Sequence, residues 1–139
     1  MRPIYETQSD LNKEQVFAKE MSEKWGYKFK KLSRVYIVDW MVMRNDELRC
    51  FAELKCRNNR KDKYPTLMLS LHKWMRGKEL AKETNTSFRL IIKWEDGIFQ
   101  HEAGTCPVTY GYGGRKDRAD NQDMEAMVFI PTMAFKEIK

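Results

Sequence analysis

Asp39, Glu53 and Lys55 are residues whose types and spacing suit one kind of chemistry. Two carboxylates that meet can hold Mg²⁺ or Mn²⁺ through hard oxygen donors. An ammonium beside them can orient a water or stabilise developing negative charge. Such a trio suits attack on a phosphodiester. The diester is anionic and repels hydroxide, and its transition state gathers further charge on the leaving oxygen. A bound divalent cation offsets that charge and lowers the pKa of its water. No Ser-His-Asp or Cys-His arrangement is needed.

The elements around these residues bring them together. Residues 35–43 read as a strand, with Val35, Ile37, Met41 and Met43 on one side and Tyr36, Val38, Trp40 and Val42 on the other. Apolar side chains on both faces predict a strand covered on both sides. Asp39 interrupts the first set, and strand interiors usually exclude Asp. Arg44-Asn45-Asp46-Glu47 makes a polar turn, and residues 48–56 return as an antiparallel strand. Period two then sets Phe51, Glu53 and Lys55 on one face. Asp39 precedes Glu53 by 14 positions, so pairing through the turn brings residue 39 opposite residue 52 or 53. Ionisable groups converging in a sheet interior are costly, and such costs mark sites.

Ahead of this hairpin, residues 10–25 read as a helix capped by Ser9 or Asp10 and stopped at Gly26. Leu11, Phe17, Ala18, Met21 and Trp25 form its buried face, and Glu14 falls on the same face. An acid on an apolar stripe needs a partner. Residues 27–32 alternate weakly, as an edge strand would. A second helix is expected over residues 70–84, with Leu71, Trp74, Met75 and Ala81 inward. Strands follow at residues 88–94, 98–101 and 127–130, and residues 110–118 read as a glycine-rich basic loop. The order is helix, three strands, helix, strand, with a C-terminal piece. It predicts one α/β or α+β domain spanning residues 1–139.

Ile37-Val38-Asp39-Trp40, followed by Phe51-Ala52-Glu53-Leu54-Lys55-Cys56-Arg57, resembles the PD-(D/E)XK, restriction-endonuclease-like nuclease superfamily. It resembles the small phage and resolvase-like members more than modular restriction enzymes. In that pattern an Asp on one strand precedes Glu-x-Lys on the next, and a Glu of the first helix often joins them. Glu14 matches in order and in face, while Val38 stands where the proline of the name would be. The resemblance implies a core over about residues 10–94 of order αβββαβ, a central mixed sheet flanked by helices, and a strand extension over about residues 95–139. It implies Asp39, Glu53, Glu14 and the Leu54 carbonyl as ligands of Mg²⁺ or Mn²⁺, with Lys55 orienting the attacking water. It further implies DNA cleavage that leaves 5′-phosphate ends.

Charge agrees with a polyanionic partner. Lys and Arg total 26 against 20 acids, for a net charge of +6. Arg57, Arg60, Lys61 and Lys63 follow the second hairpin strand, and Lys73, beside His72, opens the second helix. Arg115, Lys116 and Arg118 lie on the glycine-rich loop. These are the candidate DNA contacts, for a duplex or a branched substrate. A symmetric homodimer would present two sites to two strands. Gly111-Tyr112-Gly113-Gly114 lacks the Gly-Lys-Ser/Thr ending of a phosphate loop, so no nucleotide triphosphate is expected. His72, His101, Cys56 and Cys106 match no common zinc spacing. No apolar run approaches the roughly 20 residues of a membrane helix. The start of the chain does not resemble a signal peptide, so a cytoplasmic protein is expected, in the host cytoplasm if phage-encoded. The three cysteines, Cys50, Cys56 and Cys106, are expected as reduced thiols. Two rival readings are a non-catalytic DNA-binding module with an idle site, and a phage-type interaction protein acting on a host enzyme. The intact trio favours the enzyme.

Overall fold

A computed structural model describes residues 8–114 and 124–139. Helix α1, Gln8–Trp25, ends where Gly26 takes a φ of 71° and its N–H reaches back to the Ser22 carbonyl at 2.9 Å. Edge strand β1, Lys28–Lys31, pairs with β2, Trp40–Arg44, and β2 pairs with β3, Glu47–Cys56, both antiparallel. Asn45 and Asp46 join β2 to β3 with φ of 54° and 62°, the two-residue hairpin turn that short polar side chains tolerate. Strand β4, Thr66–Ser70, leads directly into helix α2, Leu71–Thr84, and α2 into β5, Ser87–Trp94. Then come β6, Gly97–Glu102, β7, Thr109–Gly114, β8, Met124–Pro131, and β9, Lys136–Glu137.

Two sheets result. The larger runs β1-β2-β3-β5-β6-β9, with β3 and β5 parallel and the other pairs antiparallel; the smaller runs β4-β8-β7. Parallel neighbours need a crossover between them, and β4 with α2 supplies it. Helix α1 covers one face of the large sheet, where Phe17, Ala18 and Met21 meet Trp40, Ala52 and Leu54. Helix α2 and the small sheet cover the other, where Trp74, Leu69, Val128 and Ile130 meet Phe51, Leu90 and Ile92. The fold is thus a mixed α+β one, with a central mixed sheet flanked by helices. No helix of the described residues is long and apolar enough to cross a membrane.

Several local expectations are corrected. The strand expected over residues 35–43 begins only at Trp40. Residues Arg34–Tyr36 make a 3-10 turn instead, and Ile37 sits at φ 72°, ψ −43°. The Val38 N–H bonds the Tyr36 carbonyl at 2.8 Å, closing a γ-turn of the rarer, strained hand. Val35 is accordingly 79% exposed rather than covered. Met75 is 60% exposed, because α2 buries the stripe Trp74, Gly77 and Ala81. Strand β4 interrupts the αβββαβ order, although it pairs outside the large sheet. The start of the expected glycine-rich loop is strand β7. There Gly111 and Gly113 leave room for Phe129 and Met68, which an added Cβ would meet at 2.9 and 2.8 Å.

Gly77 sets how closely α2 approaches β5. A Cβ there would lie 2.4 Å from the buried Phe88 ring. Gly77→Ala is therefore expected to destabilise by about 1–3 kcal/mol through overpacking. A urea midpoint that falls at unchanged slope would show it.

Candidate active site

The hairpin register settles where the trio stands. Trp40 pairs with Ala52, so Asp39, one residue earlier, faces Glu53. The γ-turn at Ile37 redirects the chain just before Asp39, and the Asp39 carbonyl accepts the Leu32 N–H at 2.8 Å. Backbone held in such a sparsely populated region costs of order 1–3 kcal/mol and clusters at functional sites. Glu53 is 1% exposed in the middle of β3, beside the fully buried Leu54.

Three lysines surround the acids. Lys73, in the first turn of α2, places Nζ 3.2 Å from Asp39 Oδ2 and 3.1 Å from Glu53 Oε1. Lys31, the last residue of β1, reaches Asp39 Oδ1 at 3.7 Å and Glu14 Oε2 at 3.6 Å. Lys55 lies 3.7 Å from Glu53 Oε1. Acid and ammonium therefore alternate along one line: Glu14, Lys31, Asp39, Lys73, Glu53, Lys55. Glu14 meets this line through Lys31.

Burial sets the protonation tendencies. Desolvation raises the Glu53 carboxyl above its ordinary value, against the pull of the Lys73 ammonium. At Asp39 burial also works upward, but the Lys73 ammonium and its neighbours outweigh it and hold the carboxyl low. Lys55 is pushed down by desolvation, which exceeds the support of Glu53. Lys73 is driven up, because its two carboxylate partners outweigh its own desolvation.

The donor set fits a hard divalent cation. Glu53 Oε2 is buried with no hydrogen-bond partner, and a cation already stands between the two carboxylates in the form of the Lys73 ammonium. Among the described residues no three His, Cys, Asp or Glu side chains gather as a metal group. Protein ligation would rest on Asp39, Glu53 and a backbone carbonyl such as that of Leu54. Mg²⁺ tolerates few protein ligands because it keeps several of its waters.

The candidate DNA contacts divide. Arg60 is exposed and leans on Asp96 at 3.8 Å, and exposed Lys63 lies over the Tyr64 ring. Arg57 is half-buried and donates to the Cys56 carbonyl at 3.2 Å. Lys61 is folded inward, donating to the Thr132 carbonyl at 3.2 Å and lying over Phe99. Lys73 points to the two carboxylates. Arg115, Lys116 and Arg118 lie outside the described residues. Sequence reasoning did not single out Lys31; it named Lys73 at the start of the second helix, where the resembled family often sets a polar residue near the site, but counted it among the DNA contacts. A signal for Lys73 existed. The first turn of α2 carries no acid, and a lone cation at a helix N-terminus opposes the dipole unless anions hold it.

Comparison with known proteins bears on the fold and the family. The fold is similar to that of the Holliday junction resolvase Hjc from the archaeal hyperthermophile Archaeoglobus fulgidus, with a TM-score of 0.58. The likeness covers 91% of this chain and 92% of that one at 14% sequence identity, so it speaks for the fold. No curated protein matches the sequence. The family model described as "Phage putative PDDEXK endonuclease" matches residues 1–138, and the chain belongs to that family.

Proposed function

We propose that the chain is a divalent-metal-dependent DNA endonuclease that hydrolyses phosphodiester bonds and leaves 5′-phosphate ends. The observation that carries this reading is Glu53, buried in β3 with one oxygen unpartnered and Asp39 facing it across the hairpin. Family membership supports it. A bound Mg²⁺ or Mn²⁺ would supply neutralisation of the phosphate and an acidified water. Asp39, Glu53 and the Leu54 carbonyl would hold that cation. Lys55, on the same face as Glu53, orients the water for in-line attack. Glu14 steadies Asp39 through the Lys31 they share. Arg57, Arg60 and Lys63 hold the DNA backbone beside the site, and the whole chain acts as one nuclease domain.

The test is cleavage of labelled duplex, single-stranded, flapped and four-way-junction DNA with Mg²⁺, Mn²⁺ or EDTA. The junction belongs in the set because the similar fold of Hjc is that of a Holliday junction resolvase. Cutting is expected only with metal, and Glu53→Gln is expected to lose at least about 10²-fold in rate, the usual scale for removing a transition-state contact. A specific observation favours a second reading, in which the chain binds DNA without cutting it: Lys73 already fills the gap between the carboxylates. Tight binding with no cutting of any substrate would establish that reading instead.

A further inference from the structure

We propose that Lys73 is an internal counterion that occupies the carboxylate pair in the metal-free protein, and that a divalent cation must displace it to bind. The inference rests on the reading of Asp39 and Glu53 as metal-holding residues. Three observations and one electrostatic argument carry it. The Lys73 ammonium bridges the two acids at 3.2 and 3.1 Å, closer than either neighbouring lysine. The line from Glu14 to Lys55 holds three carboxylates and three ammoniums, so it is neutral before any metal arrives. Adding a divalent ion without moving a lysine would leave two excess positive charges in a half-buried site, which electrostatics disfavours strongly at low effective dielectric. Lys73 is also the one lysine of the three on a helix. Its side chain projects from the first turn of α2 at the helix's positive end, so the carboxylates hold it against the macrodipole.

Displacement has two consequences. Without metal, Lys73 keeps Asp39 and Glu53 from repelling one another and holds α2 to the hairpin. With metal, the released ammonium is on a flexible four-carbon stem next to the place where the substrate phosphate arrives, and can pair with it. Metal and DNA would then favour the same Lys73 position, so DNA is expected to tighten metal binding. By linkage, metal tightens DNA binding by the same factor.

The test is calorimetric titration of the metal-free full chain with MnCl₂, in the absence of DNA, on wild type, Lys73→Met, Lys31→Met and Glu53→Gln. Free Mn²⁺ counted by electron paramagnetic resonance gives a second readout. Lys73→Met is expected to bind Mn²⁺ about 10- to 100-fold more tightly than wild type, because no ammonium competes for the pair. Lys31→Met, which removes a longer contact to only one acid of the Asp39–Glu53 pair, should gain less. In thermal melts Lys73→Met should unfold below wild type in EDTA, and Mn²⁺ should raise its midpoint by more than it raises that of wild type. If Lys73→Met does not fold in EDTA, the same titration on Lys73→Gln decides, since its amide fills the space without the charge. Mn²⁺ binding that is unchanged or weakened in the Lys73 variants, yet lost in Glu53→Gln, would overturn the counterion role and leave the metal site standing. Equal, negligible binding in all four proteins would overturn the metal reading and this inference with it.

Discussion

Lys55→Met is expected to abolish cleavage while the protein melts no lower than wild type. The loss of rate should be about 10²–10³-fold or more, the scale seen when a group that meets the transition state is removed. Mn²⁺ affinity should stay within a few-fold of wild type, because Lys55 reaches Glu53 only at 3.7 Å while Lys73 does so at 3.1 Å. The stability half of the expectation follows from burial. Desolvation pushes the folded Lys55 below its ordinary value. Wherever Lys55 carries its charge, the ammonium is thus held less favourably in the fold than in the open chain. Methionine fills the same space without that cost, a trade of activity against stability common at functional sites. Lys55→Arg should not restore cutting, because a planar, wider guanidinium cannot take the place of a compact ammonium in a half-buried strand position. Single-turnover kinetics beside a thermal melt checks both halves. Cutting at the wild-type rate by Lys55→Met would remove Lys55 from the reaction.

The largest effect on stability is expected from Trp74→Ala, at about 3–5 kcal/mol. Trp74 is 2% exposed and joins α2 to both the large and the small sheet. Domains of this size hold only about 5–15 kcal/mol in total, so the variant should lose a large share of its stability. Trp74→Phe separates packing from polarity. The indole N–H is buried with no partner, so its loss removes an unsatisfied donor and offsets part of the lost volume. Phe should therefore cost far less than Ala, and guanidinium denaturation of the two variants measures the difference. Because Lys73 precedes Trp74 on the same turn, the alanine variant should also loosen the contacts of Lys73 to Asp39 and Glu53.

Much of this arrangement was legible before any coordinates. Asn45-Asp46 marks the hairpin, period two sets Glu53 and Lys55 on one face, and the count of residues brings Asp39 opposite residue 52 or 53, between which the register decides for Glu53. What escaped has physical causes. The run Val-Tyr-Ile-Val over residues 35–38 has strong strand propensity, yet it forms a 3-10 turn and a γ-turn, so tertiary demand overrides local preference there. Lysine side chains are long and jointed, so periodicity gives the face of Lys31 or Lys73 but not the carboxylate each one reaches. Strand β4 is short, and its partner β8 lies some sixty positions later; nothing within a local window reports such a pairing. Gly111 and Gly113 suggested a loop, whereas their lack of side chains is what lets Phe129 and Met68 lie across strand β7.

The outer strands of the large sheet bear on a different hazard. Exposed strand edges offer unpaired N–H and C=O groups to any passing chain and so invite fibrils and swapped dimers. At one border stands β1, four residues long, with lysine at three of its positions; at the other stands β9, two residues long, one basic and one acidic. An incoming strand would have to lie along a row of like charges at the first border, and would find almost no ladder to extend at the second. The architecture that sets Asp39 just ahead of β2 and Glu53 within β3, both inside the sheet's borders, also leaves the margins to short, charged segments, so the apolar middle of this sheet is guarded against self-templated growth.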